Sequence, residues 1–107
     1  MPSVLSSGSQ LTVISTEHTL VDSTTAGTHV LAVDTNVLAN GDTIELRIYS
    51  KVLTGGTARV LYMASYSHAQ AEPIKVSIPV ATIWNFKATL KQTAGSVRTF
   101  PWEAITL

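Results

Sequence analysis

Apolar and polar residues alternate with a period of two along most of the chain. In the segment Asp42–Leu53, the even-numbered Ile44 and Ile48 share one face. The odd-numbered Arg47 and Tyr49 share the other face. Because successive side chains of a β-strand point to opposite faces of its sheet, this alternation is typical of strands with one buried face. No segment has a convincing period of 3.6 residues, so the sequence predicts an all-β protein.

Residues that favour turns, such as Asn40-Gly41-Asp42, divide this pattern into short strands. Besides a C-terminal hairpin, the predicted strands are Gln10–Glu17, Thr19–Asp22, Thr28–Asp34, Asp42–Leu53, Thr57–Ser67 and Ile74–Val80. About seven or eight short strands with turns at this spacing predict an antiparallel β-sandwich, jelly-roll-like rather than immunoglobulin-like.

The loop Thr54-Gly55-Gly56 fixes the register of the predicted central hairpin. A two-residue turn would pair even with odd positions, whereas a three-residue loop pairs even with even and joins the two apolar faces. We therefore expect Ile48 to pair with Tyr62, across a type I turn followed by a bulge at Gly56.

The same reasoning predicts a second hairpin at the C-terminal end, with the loop Thr93-Ala94-Gly95. The expected pairs are Leu90 with Arg98, Ala88 with Phe100 and Phe86 with Trp102. This register gives the aromatic residues a common inner face, where cross-strand aromatic pairs stabilise a sheet. Trp84 and Trp102 are accordingly expected in the core rather than as exposed platforms for a sugar ring.

Two prolines limit where the last strands can lie. Pro79 falls within Ile74–Val80, whose even-numbered apolar residues are expected to point inward. Proline lacks the amide hydrogen that an inner strand donates, so this strand is expected to lie at an edge or to end there. For the same reason, the last strand is expected to lie at an edge or to end at Pro101.

The first ten residues are small and mostly polar. We expect residues 1–10 to form a flexible arm ahead of a single β-sandwich domain, residues 11–107. The arm is expected either to remain a disordered tail or to add a strand to the sheet of a neighbouring molecule.

The composition excludes several classes of function. Seven Lys+Arg and seven Asp+Glu residues leave no net charge, which argues against a dominant attraction to nucleic acid or anionic lipid. No apolar run approaches the roughly 18 residues of a membrane span, and the N-terminus has no secretion signal. The chain has no cysteine, so disulfides and thiolate metal sites are excluded.

Three histidines, His18, His29 and His68, are the side chains suited to metal binding or proton transfer near neutral pH. No two of them have a chelating spacing on one strand, and no nucleophile motif accompanies them. We therefore expect no metal site, no cofactor and no enzymatic activity.

The outward face of the central hairpin mixes three cations with apolar residues. Its side chains are those of Arg47, Tyr49, Lys51, Leu53, Arg59, Leu61 and Met63. Exposed apolar patches mark contacts with partners, and Tyr, Met and Arg are enriched in interfaces. We expect a protein interface formed by Arg47, Tyr49, Lys51, Arg59, Leu61 and Met63. The alternative is a second layer of the same domain that covers this face.

Two sequence blocks resemble small all-β proteins encoded by tailed bacteriophages. The first is Glu45-Leu46-Arg47-Ile48-Tyr49 followed by Lys51-Val52-Leu53-Thr54-Gly55-Gly56-Thr57. The second is Thr89-Leu90-Lys91-Gln92-Thr93-Ala94-Gly95, ending in Arg98-Thr99-Phe100-Pro101-Trp102. The similarity covers residues 11–107 and implies a virion structural protein, similar to head decoration or cement proteins.

Decoration proteins of this kind bind the outside of an assembled shell at junctions between capsid subunits, often as trimers. The resemblance therefore implies a homotrimer on the capsid exterior, made in the host cytoplasm, whose partner is the major capsid protein. It implies contact with neither nucleic acid nor membrane. The alternatives are a receptor- or glycan-binding module of a phage tail or fibre, and an accessory domain of an enzyme or a small hydrolase.

Overall fold

The computed structural model describes residues 2–107, which form strands and turns without a helix. The strands are β1 (Ser3–Leu11), β2 (Glu17–Ser23), β3 (Gly27–Asp34), β4 (Thr43–Ser50), β5 (Arg59–Ser67), β6 (Ile74–Val76), β7 (Val80–Thr82), β8 (Phe86–Ala94) and β9 (Thr99–Thr106). The all-β class predicted from the alternating pattern is confirmed. No part of the described range forms a helix long and apolar enough to cross a membrane.

The strands form two antiparallel sheets that pack face to face. One is a five-stranded sheet with the order β1-β9-β3-β6, in which β7 also pairs with β3, and the other is a four-stranded sheet with the order β2-β8-β4-β5. Their inner faces bury a core whose largest members are Phe86, Phe100, Leu31, Ile44 and Ile48. The predicted β-sandwich is confirmed.

The chain is one long antiparallel hairpin that rolls up on itself. Outward from a tip at residues 51–58, β4 pairs with β5, β3 with β6 and β7, β2 with β8, and β1 with β9. Paired residues are therefore about equally far along the chain from its midpoint at residues 54 and 55. Ser50 pairs with Arg59 near the tip, and Ser3 pairs with Thr106 near the ends. Rolling the hairpin adds the β3–β9 and β4–β8 pairs, which complete the sheets.

The predicted register of the central hairpin is confirmed in β4 and β5, where Ile48 pairs with Tyr62. The turn prediction is wrong. A bulge after Ile48 shifts the register by one residue and the strands end at Ser50 and Arg59, so the loop is longer than three residues. Gly56 is not at positive φ; its amide instead donates to the Leu53 carbonyl at 2.9 Å.

The predicted hairpin between the last two long strands is wrong. Strand β8 pairs with β2 and β4, whereas β9 pairs with β1 and β3 in the other sheet. Gly95, at φ +96°, lies in the connection that carries the chain between the sheets. The predicted faces are nevertheless right for Phe86, Ala88, Leu90 and Phe100, which are buried. Alternation specifies the face of a strand but not its partner.

The N-terminal segment is not a free arm in this structure. Residues Ser3–Leu11 form β1 and pair with β9 from Ser3↔Thr106 to Leu11↔Thr99. Serine and glycine have weak strand propensity, which is why the sequence predicts an arm. The backbone of β9 supplies hydrogen-bond partners along its length, and most of β1 remains exposed because only one side of it is paired.

The two proline predictions have different outcomes in detail. Pro79 separates β6 from β7 at the edge of the five-stranded sheet, as expected. The same prediction is wrong for Pro101, because β9 lies between β1 and β3 and continues to Thr106. The ladder to β3 ends at Trp102, so no amide of residue 101 is needed on that side. The face predicted for residues 74–80 is wrong except at Val80: Ile74, Val76 and Ile78 are exposed.

Lys75 occupies the inward position of β6 instead. Its Nζ lies 5.0 Å from the centroid of the Tyr66 ring on β5, a cation–π contact across the open side of the sandwich. The aliphatic stem of a lysine can cover apolar surface while its ammonium stays at the rim, and this accounts for the reversed face of β6.

Candidate functional site

The outer face of the four-stranded sheet holds the candidate interface predicted from the sequence. Every described strand belongs to one of the two sheets, so no strand of residues 2–107 forms a further layer on this face. Arg47 and Tyr49 lie on it in β4, and Leu61 and Met63 on the edge strand β5. The structure thus brings four of the six predicted residues to one surface.

Arg47 and Tyr49 belong to a hydrogen-bonded network on this face. The Tyr49 hydroxyl and the Thr89 hydroxyl each donate to Glu17 Oε2 at 2.6 Å. Arg47 lies between two carboxylates, 2.9 Å from Glu45 and 3.6 Å from Glu17. Because Glu17 is on β2 and Tyr49 on β4, the network ties these strands together across β8.

The electrostatics of this network favour its present arrangement. Burial acts to raise the pKa of Glu17, but hydrogen bonds from Thr89 and Tyr49 and the charge of Arg47 outweigh it and lower the pKa below its ordinary 4.5. The hydrogen bond to Glu17 in turn raises the pKa of Tyr49 above 10.0. Arg47 and Tyr49 are thus committed to contacts within the chain.

The apolar part of this surface is a strip on β5, formed by Val60, Leu61 and Met63. Leu61 is 44% exposed and Met63 is 53% exposed. The chain as a whole is well packed, since its accessible surface of 5684 Å² is close to the roughly 5,800 Å² typical of a monomer of this mass. The strip is therefore a local feature of a well-folded sandwich.

Strand β5 is also an open edge. It pairs with β4 alone, and its sequence RVLYMASYS contains no proline, glycine or lysine. Natural edge strands are commonly protected by lysine, proline or a bulge, because an open edge can pair with another strand. The protective features of β5 are a bulge near its start, opposite Ile48 and Tyr49, and the charge of Arg59 at its first position. This edge combines free backbone groups with exposed apolar side chains.

Lys51 and Arg59 lie apart from the network, at one end of the sandwich. Together with Trp84 and Thr82 they line a cleft of about 420 Å³ between the β4–β5 and β7–β8 loops. Trp84 is 41% exposed, so the prediction that places it in the core is wrong. It precedes β8, and the alternation that buries Phe86 does not extend back to it. Trp102 does pack against the core, as predicted.

The opposite end of the sandwich is closed by buried polar side chains that the sequence did not single out. Gln92 is fully buried and donates to the carbonyl oxygens of Ala94 at 3.0 Å and Ser96 at 2.6 Å. Thr12 donates to Gln92 Oε1. These groups satisfy one another's hydrogen-bonding capacity, which is typical of a structural role rather than of a binding site.

The histidines lie in three separate places. His18 Nε2 accepts from the Val13 amide, His68 Nδ1 accepts from the Gly41 amide, and His29 is fully buried against Phe86. The His29 Nε2 lies 3.0 Å from the Thr25 carbonyl, which can only accept, so this nitrogen carries the proton. Within residues 2–107, no three His, Asp or Glu side chains converge in a way that could hold a metal ion.

Comparison of the chain with family models, with curated proteins and with solved structures finds no match.

Proposed function

We propose that this chain is a phage virion structural protein, a capsid decoration or cement protein that binds the outer shell at junctions between capsomers. The observation that carries the proposal is the open edge strand β5 with its exposed strip Val60, Leu61 and Met63. The resemblance of two sequence blocks to phage virion proteins supplies the biological setting.

We infer in addition that the fold is a jelly roll. A long hairpin rolled into two sheets, with β1 beside β9, β2 beside β8 and β4 beside β5, is the wrapping that this name describes. Jelly rolls occur in viral capsid proteins and in lectins. Because a fold alone does not carry a function, this inference supports the proposal only together with the surface of β5.

The proposed mechanism is binding without chemistry. The partner is the major capsid protein, and the chain acts as a homo-oligomer, most simply a trimer. Contacts that form only on the assembled shell shift the equilibrium against its rupture. The contacts of many copies on a symmetric shell together give strong binding even when each contact is weak. Strand β5 offers backbone hydrogen bonds for strand addition and an apolar strip for specificity.

The proposal is tested on particles of a tailed phage whose genome encodes this sequence. Mass spectrometry of gradient-purified virions is expected to detect the chain, and immunogold electron microscopy to label the heads. Label confined to tails or fibres would overturn the capsid assignment in favour of a receptor-binding module. Absence of the chain from purified particles would overturn the virion role itself.

The residues are tested with the double variant Leu61→Asp, Met63→Asp. It places two charges on the strip without touching the core, and is expected to abolish binding to shells that lack the chain. The matched control is Val97→Asp, because Val97 is as exposed as Met63 but lies between β8 and β9 at the far end of the sandwich. Equal shell binding by both variants would exclude β5 as the contact surface.

A further inference from the structure

The cleft at the end of the sandwich has the features of a binding site for a small ligand. It lies where β4 ends and β8 begins. Its volume of about 420 Å³ falls within the range of about 300–1,000 Å³ that small-molecule pockets occupy. We propose that this cleft binds a saccharide that carries a carboxylate, through Lys51, Arg59, Trp84 and Thr82.

The charge of the cleft selects an anion. Lys51 and Arg59 line it, and no Asp or Glu does. The salt bridges of the described chain involve Arg47 and Arg98, so these two cations have no carboxylate partner within residues 2–107. Two cations without a carboxylate partner in a chain of zero net charge give this end of the molecule a local positive potential. Arginine can bind a carboxylate through two parallel hydrogen bonds.

Trp84 supplies an apolar surface beside these cations. Trp84 is 41% exposed and lines the cleft, and Ile83 beside it is more exposed still. One face of a sugar ring consists of C–H groups and packs against an aromatic ring, while the hydroxyl groups at its rim remain free to form hydrogen bonds. A flat indole beside two cations therefore fits a ring that is apolar on one face and acidic at one position.

Thr82 is a buried residue of the cleft lining, at 6% exposure, whose hydroxyl has no hydrogen-bond partner within the described chain. A buried hydroxyl without a partner is destabilising, so a ligand group that supplied the partner would be favoured. Rotation between the staggered rotamers of the side chain can turn this hydroxyl towards the cleft, where a sugar hydroxyl would supply the partner.

Other anions fit the cleft less well. Phosphate sites commonly use a glycine-rich loop at the N-terminus of a helix, and no helix forms in residues 2–107. Inorganic phosphate has no apolar face and would leave Trp84 unused. A nucleotide could stack on the indole, and its binding is therefore one of the outcomes that the experiment separates.

The experiment is isothermal titration calorimetry of the whole chain with glucuronate and N-acetylneuraminate, the acidic probes, and with glucose, inorganic phosphate and a nucleoside monophosphate for comparison. Saturable binding of an acidic sugar is expected, with glucose and phosphate at least tenfold weaker. Trp84→Ala and the double variant Lys51→Ala, Arg59→Ala are each expected to weaken binding at least tenfold. Lys91→Ala is the matched control, because Lys91 lies in β8 outside the cleft.

The variant Thr82→Val separates a role in binding from a role in folding. Since the hydroxyl has no partner in the free chain, its removal is expected to leave the melting temperature unchanged or to raise it, while the affinity falls. Loss of affinity together with a lower melting temperature would indicate damage to the fold and would remove the support that Thr82 gives.

Three results would overturn the proposal: no heat with either acidic sugar, equal affinity for glucose, or equal affinity for a nucleoside monophosphate. Binding that survives both Trp84→Ala and the double cation variant would place the site elsewhere. Val60 and Leu61 line the cleft and also belong to the strip on β5. None of these variants changes either residue and none of these titrations uses particles, so the saccharide proposal is tested separately from a capsid location.

Discussion

Asp42 carries a carboxylate, yet the residue is almost entirely buried, at 2% exposure. Its Oδ2 accepts from the Ala39 amide at 3.0 Å and from Arg98 Nε at 2.8 Å, and its Oδ1 accepts from the Ser96 amide at 3.1 Å. Asp42 precedes β4 and Arg98 precedes β9, so this carboxylate joins the two sheets. Burial acts to raise its pKa, but these partners outweigh burial and lower the pKa below 3.8.

This shift predicts a loss of stability in acid. The pKa of Asp42 is lower in the folded chain than its ordinary 3.8, so its contribution is complete above that value. It is lost as the pH falls through 3.8 towards the folded-state pKa. Asp42→Asn is expected to cost about 2 kcal/mol at pH 7 and to flatten the pH dependence below pH 4. Urea unfolding at a series of pH values measures both effects.

Glu72→Gln is the control for this prediction, because Glu72 is an exposed carboxylate. Glu17 also has a lowered pKa and contributes in the same direction, so some acid sensitivity remains in Asp42→Asn. An unchanged acid profile in Asp42→Asn would contradict the role assigned to this carboxylate.

Position 95 requires glycine, both for its backbone conformation and for the atoms around it. Its φ is +96°, and a Cβ added there would lie 1.9 Å from Asp42 Oδ1 and 2.7 Å from the Asp42 Cα. Gly95→Ala is therefore expected to cost about 3 kcal/mol or more, from positive φ and from displacement of the Asp42 backbone. That cost corresponds to a melting temperature lower by more than about 10 °C.

Gly55→Ala is the matched control, because a Cβ at Gly55 meets nothing within 4 Å and its φ is not positive. It is expected to change the unfolding free energy by less than about 0.5 kcal/mol. Similar melting temperatures for the two variants, measured by circular dichroism, would show that the sheet crossing does not depend on glycine.

At the scale of the strands, the network on the outer face of the four-stranded sheet holds β2 and β4 at a fixed distance across β8. Thr89 shows the effect: it lies on the outer face, yet it is only 2% exposed beneath Glu17 and Tyr49. The network makes the surface next to β5 rigid, which reduces the entropy lost when a partner binds there.

Tyr49→Phe removes one hydrogen bond from this network and nothing from the core. It is expected to cost about 1 kcal/mol near neutral pH, since the bond is partly exposed. The pKa of Tyr49 lies above 10.0 in the folded chain, so its contribution is complete below that pH and is lost as the pH rises through the folded-state value. Chemical denaturation from pH 7 to 11 measures this loss in the wild type.

The contrast with Tyr62→Phe distinguishes the bond from a general effect of removing a hydroxyl. Tyr62 lies on the neighbouring strand and packs against the core. If Tyr49→Phe keeps the same alkaline loss of stability as the wild type, the bond to Glu17 is not its source.

At the scale of the whole molecule, the open side of the sandwich concentrates the apolar surface. Most of the exposed large apolar side chains lie between residues 52 and 84, in β5, β6 and the loops that flank β5 and β7. The chain spans only 19 Å along its shortest axis. Exposed apolar side chains on β5 and β6 are suited to contact with neighbouring copies or with a shell.

This surface predicts self-association in solution. Light scattering on a sizing column is expected to give a mass of about three times 11.4 kDa, the trimer that the resemblance implies. The variant Leu61→Asp, Met63→Asp is expected to be a monomer, while Val97→Asp retains the wild-type mass. A monomeric wild type would contradict a preformed trimer and would leave assembly on the shell itself as the route.

The sequence alone determined the parts of this fold that depend on neighbouring residues. The alternation of Ile44, Leu46 and Ile48 assigned the buried face of β4, and matching the apolar faces of the two strands gave the pair Ile48 and Tyr62. Both follow from the two-residue period of a strand and from the short distance along the chain between β4 and β5. The apolar character of Leu61 and Met63 could also be read directly.

Only the tertiary structure decided which distant strands pair. Strand β8 pairs with β2 and β4 rather than with β9, its neighbour in sequence. The serine-rich segment Ser3–Leu11 forms a strand because it pairs with the backbone of β9. The candidate cleft depends on the same long-range arrangement, since Lys51, Arg59 and Trp84 meet only when the hairpin rolls up. Local alternation specifies which face is buried, whereas partners, closures and clefts depend on contacts between residues far apart in the chain.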